Sequence, residues 1–89
     1  MNALDVKGAV ATALAYLKDL YSDEQLENIR LEEVWLSDDE KYWYITIGYD
    51  SPSSARDPLA ALRPPEREYK LFKVRVEDGR VIEMKMRQP

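Results

Sequence analysis

Residues 1–21 read MNALDVKGAVATALAYLKDLY, and this stretch decides how the rest of the chain must be arranged. Its apolar side chains recur at spacings of three and four residues, which is the period of a helix with one apolar face. These side chains are Val6, Val10, Ala13, Leu14, Leu17, Leu20 and Tyr21. Asn2 is placed to cap the N-terminus, and Asp5 falls in the first turn, where a carboxylate suits the helix dipole. The stretch therefore predicts one amphipathic helix that needs an apolar partner.

Lys41–Tyr49 is the clearest strand in the sequence that follows. Large apolar side chains alternate with tyrosines and small residues, as expected of a strand whose two faces have different surroundings. We expect the first set, Trp43, Ile45, Ile47 and Tyr49, to lie against the helix. The second set is Tyr42, Tyr44, Thr46 and Gly48. This second face should be half-exposed.

Ile29–Leu36 predicts a less regular strand. Ile29, Leu31 and Trp35 would share one face, but Glu33 interrupts it. An edge strand with a bulge would accommodate that pattern. If Glu33 were buried opposite Trp43 or Ile45, its pKa would rise and it could act in acid–base chemistry. A position at the sheet edge is the commoner outcome for such a residue.

Tyr69–Val76 and Val81–Arg87 predict a hairpin. A three-residue loop, 77–79, with Gly79 in the left-handed conformation would put the apolar side chains on one face. That face would hold Phe72, Val74, Ile82, Met84 and Met86. The same register pairs Val74 with Ile82, Phe72 with Met84, Lys73 with Glu83, Arg75 with Val81, Leu71 with Lys85 and Tyr69 with Arg87.

The order of elements predicts an α+β fold, in which an N-terminal helix packs on one face of a four-stranded antiparallel meander sheet (α-β-β-β-β). We expect residues 1–89 to form a single domain with a long Pro-rich loop at 50–66. Within that loop, Leu59 and Leu62 are candidates for docking another protein. Equally, they could cover the open end of the core.

The composition argues against most chemistry. The chain has no cysteine, which excludes a Cys nucleophile and a thiolate metal site, and no histidine, which is the commonest general base and transition-metal ligand. The serines have no base nearby and the glycines are scattered, so we expect no enzyme, no cofactor and no metal site. No signal pattern or membrane-spanning run is present in the sequence, and a cytoplasmic protein is the default expectation.

The side of the sheet away from the helix is the strongest candidate for function. Its predicted surface combines tyrosines, a leucine and basic residues, a composition enriched in protein interfaces. The members are Tyr42, Tyr44, Tyr69, Leu71, Lys73, Arg75, Lys85 and Arg87. We expect a non-catalytic protein-interaction module. Its partner would be a different protein or a second copy, which could pair through this face or through an exposed sheet edge.

The alternative is single-stranded nucleic-acid binding through the same tyrosines and cations. The net charge of −4 argues against it, because nucleic-acid binders are usually basic. The charge is uneven, however: residues 1–50 hold four Lys/Arg and eleven Asp/Glu, whereas residues 51–89 hold nine and six. Such asymmetry can steer partners or pair copies of the chain.

The pattern resembles the cystatin-like and PepSY-like small α+β domains. The residues that carry this resemblance are the helix Val6–Tyr21, the strand Lys41–Tyr49 and the terminal hairpin YKLFKVRVEDGRV at 69–81. The resemblance implies an interaction or inhibitory module from a bacterial protein. It departs from true cystatins at their Gln-x-Val-x-Gly loop, of which Ile45–Gly48 keeps only the glycine. Protease inhibition is therefore not expected.

Overall fold

The computed structural model describes residues 4–22, 26–50 and 67–87. Helix α1 spans Val6–Leu20, and four strands follow it: β1 (Glu27–Leu36), β2 (Tyr42–Asp50), β3 (Arg67–Arg75) and β4 (Val81–Met86). The strands form one antiparallel sheet in the order β1-β2-β3-β4. The predicted α+β meander is confirmed.

Helix α1 begins later than the sequence predicts. Asp5 is its N-cap, and the carboxylate accepts a hydrogen bond of 2.8 Å from the N–H of Gly8. Asn2 therefore cannot cap this helix, and the predicted capping role belongs to Asp5. The segment before the helix is fixed to the sheet, because Leu4 N–H donates to Val76 O and Trp43 Nε1 donates to Leu4 O, both at 3.0 Å.

The core lies between α1 and one face of the sheet. It comprises Ala9, Ala13, Leu17, Ile45, Ile47, Tyr49, Phe72 and Val74, each at most 1% exposed. Two alanines on the buried helix face let α1 approach β2, β3 and β4 closely. Tyr49 donates to Glu68 Oε2 at 3.0 Å, and burial, followed by this hydrogen bond, raises the pKa of its phenol. The predicted inward face of β2 is confirmed.

β1 is an edge strand with irregularities, as expected, but its faces differ from the prediction. A register shift between Leu31 and Glu33 reverses the alternation, so that Glu33 pairs with Thr46 and Trp35 with Tyr44. Glu33 and Trp35 consequently share the face away from α1, where the Glu33 side chain is 45% exposed. The favoured position of Glu33 at the sheet edge is confirmed, and the alternative of a buried Glu33 beside Trp43 or Ile45 is wrong, because the bulge moves Glu33 to the other side of the sheet.

The β3–β4 register is confirmed at Leu71–Lys85, Phe72–Met84 and Lys73–Glu83. Nearer the turn it is wrong, since Val74 pairs with Val81 instead of Ile82. Arg75 N–H donates to Arg80 O and Gly79 N–H donates to Arg75 O, so the loop contains four residues, 76–79. Gly79 has a φ of +72°, the predicted left-handed conformation.

The longer loop changes which hairpin side chains reach the core. Val81 packs against the core, whereas the predicted core residues Ile82 and Met86 are 40% and 56% exposed. The predicted pairing of Arg75 with Val81 is likewise wrong. Across the hairpin, Arg75 N–H instead donates to Arg80 O. On its other side, Arg75 pairs with Tyr42 of β2.

Candidate interaction surface on the outer sheet face

The face of the sheet opposite α1, called the outer face below, brings together all eight candidates from the central and C-terminal strands. Strand pairing aligns Tyr42 with Arg75, Tyr44 with Lys73, and Leu71 with Lys85. Arg87 N–H donates to Tyr69 O at 2.9 Å, which places these two residues side by side. The predicted set therefore forms one continuous surface across β2, β3 and β4.

The centre of the aromatic surface is the pair Trp35 and Tyr44, of which the sequence predicts only Tyr44 on this face. Trp35 stacks on Tyr44 with ring centroids 5.1 Å apart and planes inclined by 14°. Trp35 is 39% exposed, so part of its ring remains available to a partner. Sequence reasoning assigned Trp35 to the other face. Placing the bulge between Leu31 and Glu33 would have corrected that assignment.

Two cations border this aromatic pair. Lys73 Nζ lies 4.3 Å from the ring centroid of Tyr42 and 5.8 Å from that of Tyr44. Arg87 Cζ lies 5.9 Å from the ring centroid of Trp35. Such cation–π contacts stabilise by about 0.5–1 kcal/mol at exposed sites and limit the rotamers of the rings. The aromatic surface is therefore held in a defined shape.

The same cations also pair with carboxylates. Lys73 Nζ is 4.0 Å from Glu83, and Arg87 Nε is 2.8 Å from Glu33. At the end of the sheet, Arg75 binds both oxygens of Asp78, at 3.0 and 2.6 Å. These hydrogen bonds from Arg75 lower the pKa of Asp78 to about 2. Much of the positive charge expected on this face is thus neutralised within the chain.

A recess, called the Thr46 recess below, lies beside the aromatic pair. It has a volume of about 240 Å³ and is lined by Glu32, Glu33, Thr46, Tyr69 and Arg87. Because Glu33 belongs to β1 and Arg87 follows β4, their ion pair spans the two central strands. Thr46 is only 1% exposed although α1 packs on the opposite face of the sheet, and its Oγ1 has no hydrogen-bond partner among the described residues.

A second cluster of charges holds the end of β1 to β3. Arg67 donates to Glu32 at 3.0 Å and to Asp50 at 3.2 Å, and Asn28 donates to Asp50 at 2.5 Å. Glu32 also lines the Thr46 recess. The recess therefore has ordered charged groups of both signs at its rim.

Other candidate sites receive less support from the structure. Leu59 and Leu62 lie outside the described residues. Within residues 4–22, 26–50 and 67–87, no three His, Cys, Asp or Glu side chains cluster as metal ligands would. In the same part of the chain, no helix has the length and apolar character needed to cross a membrane.

Comparisons with models of known protein families, with curated proteins and with solved structures find no match to this chain.

Proposed function

We propose that the protein is a non-catalytic interaction module that binds through its outer face, and that its partner is a second copy of the same chain. The observation that carries this proposal is the Trp35–Tyr44 stack, with Trp35 39% exposed and cations against both rings. Stacked aromatics with arginine beside them are typical of the residues that dominate interface energetics. The cystatin-like and PepSY-like resemblance points to the same class of function.

The charge distribution supports a second copy as the partner. Residues 27–40 carry six Asp/Glu and one Arg, whereas residues 67–87 carry seven Lys/Arg and four Asp/Glu. These segments form opposite sides of the sheet, since β1 and β4 are its two edges. When two outer faces meet about a two-fold axis parallel to the strands, the acidic side of each copy lies over the basic side of the other.

The ion pairs favour a protein partner over single-stranded nucleic acid. Lys73, Arg75 and Arg87 would have to leave Glu83, Asp78 and Glu33 before they could bind phosphates. The Trp35 ring remains available for base stacking, so this alternative keeps one supporting observation.

The test is the solution mass measured by light scattering over a range of protein concentrations. We expect a dimer that Tyr44→Glu converts to a monomer, because the substitution breaks the stack and buries a carboxylate in the interface. Ala15→Glu is the control, since Ala15 is exposed on α1 and the added carboxylate there should leave the dimer intact. A wild-type protein that is monomeric at every concentration would contradict self-association.

A second measurement separates the two classes of partner. Binding of a labelled single-stranded oligonucleotide is measured by fluorescence anisotropy at several salt concentrations. We expect no salt-sensitive binding. Steep salt dependence is the signature of phosphate neutralisation, and observing it would favour the nucleic-acid alternative.

A further inference from the structure

The Thr46 recess contains a polar group that is buried without a partner. A hydroxyl that loses water on folding and gains no hydrogen bond raises the free energy of the folded state. Thr46 Oγ1 is in this position, although it lines a recess at the surface of the sheet. A ligand that supplied the missing hydrogen bond would remove this free-energy cost. Such a ligand would therefore bind more tightly when the recess is open and the hydroxyl is accessible.

The Glu33–Arg87 ion pair lines the recess together with Thr46. The pair is half-exposed, with side-chain exposures of 45% and 40%, and ion pairs of this kind contribute little to stability. A ligand that enters between the two side chains leaves each of them without its counter-charge. It must therefore offer an anionic group to Arg87 and a cationic group to Glu33.

We infer that the Thr46 recess is a binding site for a small zwitterion of the α-amino-acid type. Its carboxylate would bind Arg87, its ammonium group would bind Glu33, and one of its polar atoms would hydrogen-bond to Thr46. With the ion pair in place the recess has a volume of about 240 Å³, below the roughly 300–1,000 Å³ of sites that hold drug-sized ligands, so the ligand belongs to a smaller class of molecule. The inference does not rest on the proposed self-association, since every contact lies within one chain.

The probe is free L-valine, followed through the amide signals of Thr46, Tyr69 and Arg87 in two-dimensional NMR spectra. N-acetyl-L-valine lacks the cationic group, and L-valine methyl ester lacks the anionic group. We expect saturable binding of L-valine with a Kd of about 1 mM, and at least about tenfold weaker binding of each derivative. Equal binding of all three, or no saturation by L-valine at concentrations far above that Kd, would overturn the proposal.

Variants connect each charge to its residue. Arg87→Gln should weaken L-valine binding by about tenfold while leaving the affinity of the methyl ester unchanged, because the ester has no carboxylate to lose. Glu33→Gln should have the converse effect, sparing N-acetyl-L-valine. Lys85→Gln, on the same face but outside the recess lining, should bind L-valine as the wild type does. If both recess variants kept the wild-type preference for L-valine, the proposed orientation would be wrong.

Thr46→Val tests the hydroxyl, and circular dichroism of the same sample verifies that the variant is folded. The substitution should weaken L-valine binding without changing its preference over the two derivatives. The titration is repeated with Tyr44→Glu, so that a dimer covering the recess cannot hide binding. Absence of binding to both the wild type and Tyr44→Glu would reject the site, whatever the solution mass shows about self-association.

Discussion

The two faces of β2 are buried by different means. On one face, Ile45, Ile47 and Tyr49 lie under α1, in a core built from apolar side chains. On the other face, Thr46 is equally buried although the helix lies on the opposite side of the sheet. There the neighbouring cover includes the Glu33–Arg87 ion pair, and the aromatic stack lies beside it. The apolar core under α1 stabilises the fold. The aromatic rings and ion pairs on the other face can separate when a partner binds.

The largest effect should come from the core side. Leu17→Ala removes a fully buried side chain and should lower the free energy of unfolding by about 2–5 kcal/mol. Leu31→Ala makes the same chemical change at a position that is 45% exposed, and should cost less than about 1 kcal/mol. Urea unfolding followed by circular dichroism measures both. Leu31 pairs with the inward-facing Ile47 at the edge of the sheet, so equal losses would contradict the difference in burial between the two leucines.

A stabilising effect is expected on the outer face. Thr46→Val replaces the unpartnered hydroxyl with a methyl group of similar size, and should raise the free energy of unfolding by about 1–3 kcal/mol. Thr12→Val is the control, because Thr12 Oγ1 already donates to Gly8 O at 2.9 Å. It should give no gain in the same urea titration. A loss of stability in Thr46→Val would mean that the hydroxyl is satisfied in solution.

The smallest expected effect is a pH dependence of the free energy of unfolding that comes from Tyr49, on the α1 side of β2. The pKa of Tyr49 is raised above its ordinary value of 10.0, first by burial and then by its hydrogen bond to Glu68. The unfolded chain therefore loses this proton before the folded chain does, so stability is fully present below pH 10 and falls as pH rises further. Tyr49→Phe should cost about 1 kcal/mol at neutral pH and remove this part of the alkaline loss.

Urea unfolding at neutral and alkaline pH measures that difference. Glu68→Gln keeps Tyr49 buried but removes the charge of its acceptor, so it should retain most of the alkaline loss if burial is the larger cause. The same alkaline slope in the wild type and in Tyr49→Phe would exclude Tyr49 as its source.

Regular alternation made most of the fold predictable. In β2, large apolar side chains alternate with tyrosines and small residues, and this period alone predicts the inward set correctly. In β1 and at the end of β3, local backbone hydrogen bonds shift the strand register and so reverse which side chains face the core. The sequence gives little indication of these hydrogen bonds. The bulge after Leu31 turned Trp35 outward, and the four-residue loop brought Val81 to the core in place of Ile82.

The candidate site was predictable to the same extent. The eight residues lie on β2, β3 and β4 or directly after β4, and they depend on the regular register that extends through Leu71–Lys85 and Tyr44–Lys73. Trp35, Glu33 and the recess over Thr46 depend on the position of one bulge. Because a bulge is set by local backbone hydrogen bonding, hydrophobic pattern indicates its presence more readily than its position.

The irregular edges have a consequence for the size of any assembly. β1 has register shifts between Glu27 and Arg30 and between Leu31 and Glu33, and β4 has one opposite Lys73–Val74. A bulged edge with charged side chains is a poor template for a further strand, because its N–H and C=O groups are out of step with a straight neighbour. Growth of the sheet into a fibre is therefore blocked on both sides, and concentrated protein should remain as discrete particles.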